Sequence, residues 1–471
     1  MSAERLIALA PALVQQQAAA LKPLLENFFS NLALAKEPLE LEANSLDPEL
    51  ICALKTLPFV LENSPNGGFR LWSCKGHRMQ QEVLAELCER LQSQAGLLVT
   101  GGAGSGKTSL VKQLIQETSS GAAIALMAPT GKAAARLREA LTPLAQGINC
   151  GTIHRWLEAS GDGQFRRGAR KPLELHTVVI DEFSMVDTAL LAALLSALPT
   201  HTRLLLLGDP GQLPPIAGIG ALAPLEIMLG VQAPQCLIEL KGSHRFNEHT
   251  SLGQFVQQLR LSEAMLNTKI FHNLLINISR SDNLNWHNLN IGWPKEIIER
   301  LLKHKQNLQL AAENQNLADQ EALNELLELM LLAPRRKGRH GVDQLNERWL
   351  DLDKNNPFSW PIGTPLLINR NNNERGLSNG DLGLIRPDFS GGKVAVIASG
   401  DGPQRLPLEL LGGVEPAFAI TVHKSQGSQA KQVIVVINEL EGLDPKLLYT
   451  ALTRAQTRAD LLYLEDPNLI S

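Results

Sequence analysis

The sequence predicts an α/β protein, and three observations predict it. From Leu97 onward, short apolar runs alternate with segments of helical apolar spacing, the pattern of a parallel sheet covered on both faces. One such run, Gly96 to Thr100, leads into Gly101-Gly102-Ala103-Gly104-Ser105-Gly106-Lys107-Thr108 and then into the helix-spaced Ser109 to Ile115. Strand, glycine-rich loop and helix is the context of a phosphate-binding P-loop. Between Pro361 and about Leu411 the period shortens, with turns at Asn371-Asn372-Asn373, Ser378 to Asp381 and Ser390-Gly391-Gly392. That predicts a small β-barrel inserted in the second α/β unit.

The totals set bounds. A chain of 471 residues has room for about three domains. Its formal net charge is -4, so a nucleic-acid partner must be met by a local groove rather than by an overall basic field. Five cysteines lie scattered without paired metal-type spacing, which predicts reduced structural thiols in a cytoplasmic protein. The apolar run Leu6 to Val14 meets Gln15-Gln16-Gln17 at once and predicts an amphipathic helix rather than a signal peptide. No run approaches the length of a membrane span.

Taken in order, residues 1–91 carry Ala/Leu-rich helical patterns, with a hairpin expected where Pro58 to Leu61 and Phe69 to Trp72 flank Asn63 to Gly68. Gln80-Gln81 open the helix before the P-loop strand, and Gln81 is a candidate for the adenine edge. In the P-loop itself, Gly101 to Thr108 would turn backbone N–H groups toward phosphate oxygens, helped by the positive end of the following helix. Lys107 would reach the β- and γ-phosphates, and the Thr108 hydroxyl would ligate Mg²⁺. The strand Ala122 to Met127 ends in Ala128-Pro129-Thr130-Gly131-Lys132, at the edge where α/β sheets take ligands. Thr152-Ile153-His154-Arg155 and the basic loop Phe165 to Lys171 follow.

Thr177 to Ile180 is a strand ending in Asp181-Glu182. Two strands beyond a P-loop, such acids point to metal and water, with Asp181 in the Mg²⁺ shell and Glu182 as general base. The strand Leu204 to Leu207 carries a polar tip in which Gln212 would touch the γ-phosphate, and Arg245 in Ser243 to Phe246 is a further phosphate candidate. Helices are expected from about Ser262 to Asn316, then a strand at Met330 to Ala333. Gln432 to Ile437 is an interior strand, and Leu448 to Ala455 a helix carrying Arg454.

The order of these motifs is itself informative. The P-loop, APTGKAAARL, TIHR, VVIDEFSM, LLLLGDPGQLPPI, SHRF, AITVHKSQGS and YTALTRA follow the succession of superfamily 1 helicases. The chain most resembles the RecD family, the alpha subunit of exodeoxyribonuclease V, from about Pro58 to the C-terminus. Gly341 to Asn346 and Asn379 to Gly383 belong to the likeness. The resemblance implies two RecA-like motor domains, at 92–235 and at 236–358 with 415–471. It also implies an SH3-like barrel at 359–414 and a mainly helical, partner-binding region at 1–91. ATP with Mg²⁺ would sit between the motors, and movement along single-stranded DNA would run 5′ to 3′ from duplex ends in break repair and recombination. Gln212, Arg245 and Arg454 would surround the γ-phosphate. Thr130, Lys132, Thr152, His154, Thr421 and His423 would line the DNA path. Phe183 stands where the family more often has a small residue, and Trp156 to His176 leaves room only for a small strand-separating pin. The short N-terminal region favours the subunit form, beside RecB-like and RecC-like chains, over a stand-alone RecD-like helicase. A structural subunit with a decayed ATPase is disfavoured, because every catalytic position holds the required residue.

Overall fold

The computed structural model describes residues 17–464 except 34–38, 42–45, 56, 58, 64–68, 118–122, 143, 145–147, 161–163, 217, 244, 247–248, 263–264, 277, 351–355, 373–374, 389–390 and 400–401. The expected helix at Leu6 to Val14 lies outside them, as does the turn of the N-terminal hairpin.

The N-terminal unit is less helical than its composition suggests. Helices Ala18–Ala33 and Pro48–Lys55 pack with a three-stranded antiparallel sheet of β1 (Leu39–Leu41), β2 (Phe59–Asn63) and β3 (Phe69–Ser73), in the order β1-β3-β2. The hairpin is the β2–β3 pair, with Phe59 opposite Ser73. Leu21, Leu25 and Phe28, spaced along one helical face, are fully buried with Leu54 and Leu71.

The first large sheet is all parallel: β4 (Leu97–Gly101), β5 (Ile124–Ala128), β6 (Asn149–Thr152), β7 (Thr177–Ile180), β8 (Arg203–Gly208) and β9 (Leu237–Leu240), ordered β6-β5-β7-β8-β4-β9. Period-two alternation explains its two cores. Val178, Ile180, Leu204 and Leu206 face one cluster with helix Cys74–Ser93, while Val179, Leu205 and Leu207 face another with helix Gly131–Leu141. Each leucine so buried contributes about 1.5–3 kcal/mol. The sheet thus takes in β9, beyond position 235, and its core takes in Val83 to Leu91.

The second sheet is also parallel: β10 (Leu284–Asn288), β11 (Leu329–Ala333), β17 (Ala419–Thr421), β18 (Ala430–Ile437) and β19 (Ala455–Tyr463), in the order β10-β19-β18-β11-β17. The Ser262 to Asn316 stretch is therefore not wholly helical. Between helices Thr268–Ile276 and Lys295–Glu313, β10 pairs with β19 as an edge strand. Its sequence, Leu-Asn-Trp-His-Asn, carries little apolar alternation because only Leu284 is fully buried. Between β11 and β17 the chain inserts an antiparallel sheet of β12 (Pro365–Ile368), β13 (Leu382–Pro387), β14 (Lys393–Ser399), β15 (Gly402–Pro407) and β16 (Val414–Pro416), ordered β15-β14-β13-β12-β16. Trp360, Ile385 and Ile397 are fully buried in its core.

One ionic node docks this insert. Arg386, on β13 and only 1% exposed, donates to Asp319 Oδ1 at 2.5 Å and to the carbonyls of Ala312, Asn314 and Leu317. Arg405 makes a two-pronged contact with the same carboxylate at 2.7 and 2.8 Å. Desolvation alone would raise the Asp319 carboxyl, but the hydrogen bonds and charges of Arg405 and Arg386 outweigh it and hold it below its ordinary value. Removing one partner strands a buried charge, so Asp319→Ala should destabilise the protein by about 3 kcal/mol. The check is the urea midpoint followed by tryptophan emission, and a loss under about 1 kcal/mol would show the node to be idle. A depressed carboxyl contributes stability above its unfolded value and loses it as pH falls through the folded one. The wild-type advantage over the variant should therefore fade below about pH 4.

Candidate nucleotide site and nucleic-acid groove

The parallel order of the first sheet sets the site. The P-loop leaves the end of β4, the acid pair the end of β7, and the Gln212 loop the end of β8, which lies between them. All three loops open at the carboxyl edge, where such sheets take ligands. Gly104 has φ +79°, and a Cβ there would lie 2.6 Å from Arg245 Cβ. Only glycine allows both that conformation and that approach. Lys107 begins helix Lys107–Glu117, and its ammonium donates to the carbonyls of Gly101 (2.6 Å) and Gly102 (3.0 Å).

Asp181 is half-buried at the wall of the site, and its Oδ1 accepts from the Glu182 amide at 2.9 Å. Burial and the neighbouring Glu182 charge push its carboxyl up to about 6. Glu182 has φ 52°, a left-handed conformation uncommon outside glycine and frequent at functional sites. Gln212 is 6% exposed, and its Nε2 donates to Asp209 Oδ2 at 3.3 Å. Its Oε1 is buried without a hydrogen-bond partner.

These groups line one cavity of about 550 Å³, together with Ala103, Gly104, Thr108, Arg245 and Arg454. The size suits a nucleotide-scale ligand. Arg454 comes from the second unit. It lies just beyond helix Pro445–Leu452 rather than within it, 2% exposed, its Nε donating to the Thr450 carbonyl at 3.0 Å. Burial first, then nearby Arg136, lowers the Arg454 guanidinium from its ordinary value, against the pull of Glu182. Arg245 falls to about 10 by burial and by the charges of Arg136 and Arg454. Thr108 and Asp181 supply hard oxygen donors of the kind Mg²⁺ takes, and Lys107, Arg245 and Arg454 supply cations for an anionic ligand. Gly101, Gly102, Ser105 and Gly106 shape the loop behind this wall. Gln81 does not line the cavity; it is exposed on helix Cys74–Ser93, whereas Gln80 is buried at 6%. Arg136 lines the wall although motif reading singles out only its neighbours. Its place in APTGKAAARL, four residues after Lys132 on one helix face, is the signal that marks it.

A second hollow, about 660 Å³, gathers Thr130, Thr152, His154 and Arg155 from the first unit with Asn371, Arg375, Ser378 and Asn379 from the insert. The threonines double as helix caps: Thr130 accepts from the Ala133 amide and Thr152 from the Arg155 amide. His154 lies 5.9 Å, centroid to centroid, from Phe165. Lys132, Thr421 and His423 do not line this hollow. Lys132 Nζ is buried with no hydrogen-bond partner, and burial lowers it to about 8 against the attraction of Asp381. Thr421 accepts from the Lys424 amide at 3.3 Å, and burial lowers the His423 imidazole. The basic loop spends part of its charge on Glu158, which pairs with both Arg167 and Lys171, at 2.7 and 2.9 Å. No helix among the described residues is long and apolar enough to cross a membrane.

Residues 85–218 match the model of an AAA domain, and residues 416–462 that of a UvrD-like helicase C-terminal domain. The chain is 35% identical over 403 residues to the RecBCD enzyme subunit RecD of Mycolicibacterium smegmatis, covering 79% of this chain and 69% of that protein. It is 29% identical to the ATP-dependent RecD2 DNA helicase of Deinococcus radiodurans, covering 82% of this chain but only 49% of that one. It also aligns with a crystal structure of Bacteroides Pif1 bound to single-stranded DNA, at 18% identity and a TM-score of 0.44, over 81% of this chain and 91% of that one. The last likeness is too distant to carry an argument.

Proposed function

Because the chain belongs to the RecD family of ATP-dependent DNA helicases, we propose that it is the 5′-to-3′ motor subunit of an exodeoxyribonuclease V-type complex in double-strand break repair and recombination. One observation carries the motor reading. The cavity holding Lys107, Thr108, Asp181, Glu182 and Gln212 on the first unit is completed by Arg454 of the second. A nucleotide bound there touches both units, so hydrolysis changes what holds them together.

Lys107 would bind the β- and γ-phosphates, with Arg245 and Arg454 at the γ-phosphate, and Thr108 and Asp181 would hold Mg²⁺. The metal would neutralise charge on the transferring phosphoryl group. Glu182 would orient the attacking water and take its proton. Gln212, with one amide end held by Asp209 and the other unpaired, would register the γ-phosphate. Thr130, Thr152 and His154 would hold the DNA backbone without reading sequence. Lys132, Thr421 and His423 are proposed for the same path, reached when the units move.

The inserted sheet would be an SH3-like barrel spanning 359–414 within the second motor domain, and the first motor domain would take in helix Cys74–Ser93 and β9 beside 92–235. The segment before Pro58 would bind RecB-like and RecC-like partners in the cytoplasm. The stand-alone alternative draws less support, since the chain is 35% identical to the RecBCD subunit RecD of Mycolicibacterium smegmatis but 29% identical to the RecD2 helicase.

The test is ATP hydrolysis with and without single-stranded DNA, followed by unwinding of duplexes tailed at either end. Stimulation of at least tenfold and unwinding only from a 5′ tail are expected. Unwinding from a 3′ tail alone would refute the assigned direction. Co-purification with RecB-like and RecC-like chains, lost on deletion of the segment before Pro58 while ATP hydrolysis is spared, is the expected partner result. Tailed-duplex unwinding at full rate without partners would favour the stand-alone form.

A further inference from the structure

We propose that Tyr449 is a positioning residue for ATP hydrolysis, its phenol joining the P-loop and the Gln212 loop of the first unit to the Arg454 segment of the second. The proposal rests on the ATP-site reading above and adds to it a residue that does not line the cavity.

Tyr449 lies on helix Pro445–Leu452 and is 1% exposed. Its hydroxyl accepts from the Ala103 amide of the P-loop at 3.2 Å and donates to Asp209 Oδ2 at 2.9 Å. Asp209 is itself buried; its Oδ1 accepts from the Gly211 amide at 3.1 Å, and its Oδ2 also accepts from Gln212 Nε2. One oxygen of the second unit thus touches the phosphate loop directly and the γ-phosphate sensor through a single carboxylate. The next residue repeats the tie, Thr450 Oγ1 accepting from the Leu213 amide at 3.0 Å. The carbonyl of that same Thr450 holds Arg454 Nε.

The first unit is shaped for the ring. A Cβ at Gly102 would lie 3.2 Å from the phenol oxygen, and one at Gly211 would lie 3.1 Å from the ring carbons. Burial, the Asp209 charge and the hydrogen bond to it hold the phenol well above its ordinary pKa, so it serves throughout as a neutral donor. Simple packing would account for the buried ring. It does not account for a hydroxyl whose two partners are a P-loop amide and the carboxylate beside Gln212. Since an unpaired buried hydroxyl is costly, the phenol fixes where helix Pro445–Leu452 sits against the first unit, and so where Arg454 enters the cavity.

The test is steady-state ATP hydrolysis by Tyr449→Phe in the full chain with single-stranded DNA. The variant keeps the ring and removes the hydroxyl. A kcat about tenfold lower, the factor of one hydrogen bond to a charged group, is expected with KM for ATP within twofold and an unchanged thermal midpoint. In an Arg454→Ala background the same change is expected to cost no more than a further twofold, because the phenol acts through the arginine. An unchanged kcat, a raised KM alone, or a full further tenfold loss in that background would each overturn the proposal. Should Tyr449→Phe not fold, Asp209→Asn weakens the same acceptor and is expected to give the same kcat loss; normal turnover there overturns the proposal equally. No hydrolysis by the wild type with DNA and partners would overturn the ATP-site reading and this inference together, whereas an active wild type with an indifferent Tyr449→Phe overturns the inference alone.

Discussion

Arg454→Ala is expected to lower kcat for DNA-stimulated ATP hydrolysis by roughly 10³-fold, with KM for ATP changed less than about fivefold, the loss that a missing arginine finger causes. The asymmetry follows from where the group acts. Arg454 is 2% exposed at the wall shared by the two units, so in the proposed reaction its charge would meet negative charge growing on the transferring phosphoryl group. There, little water screens it. In the structure its donors rest on the Thr450 and Ser428 carbonyls and on Thr453 Oγ1, all on its own unit. A modest rearrangement can redirect them without unfolding anything. Arg454→Lys should recover little, since an ammonium lacks the planar fork that engages phosphate at two oxygens. Steady-state kinetics at saturating DNA, with binding of a fluorescent ATP analogue as the control for folding, decide it. A kcat within fivefold of wild type would remove Arg454 from the chemistry.

Lys107→Ala is expected to suppress hydrolysis by 10²–10³-fold, the range for losing a pre-set electrostatic donor, and to weaken nucleotide binding as well. The two effects would come together because, in the proposed site, Lys107 would meet phosphates in the ground state and the transition state alike. Its ammonium now sits on the Gly101 and Gly102 carbonyls, which hold it across the mouth of the loop. Incoming phosphate oxygens would replace those weaker acceptors, so the lysine would need no large side-chain search. Truncation should leave the fold intact, since Lys107 is the first residue of helix Lys107–Glu117 and adds no core packing. The comparison is kcat and KM beside the far-ultraviolet dichroism of both proteins. Near-normal turnover in a folded variant would place the phosphate elsewhere.

Much of the site was legible in sequence because its residues stand next to one another or at the ends of apolar runs. The P-loop and Asp181-Glu182 each follow a strand of four or five residues that is wholly apolar or nearly so, and strand ends are where such sheets bind ligands. Arg136 escaped because a helix face, not adjacency, points it at the cavity. Gln81 and its neighbour Gln80 could not be told apart, since which of two adjacent helical residues faces inward depends on the rotation of helix Cys74–Ser93 against the first sheet. The edge strand β10 was missed for a similar reason. Its pairing with β19 joins residues more than 170 positions apart, and its own side chains show no alternation.

The sequence alone determined the α/β class, the P-loop, the acid pair, the Gln212 loop, the N-terminal hairpin and the inserted β region, because each is encoded in local periodicity and short-range chemistry. Tertiary structure decided which groups meet. It set Arg454 of the second unit against the first unit's cavity, kept Lys132 buried near Asp381, and put the Tyr449 hydroxyl between Ala103 and Asp209. Those contacts join residues hundreds of positions apart, so they depend on how the first sheet packs against the second unit and its insert, and no local pattern records that packing.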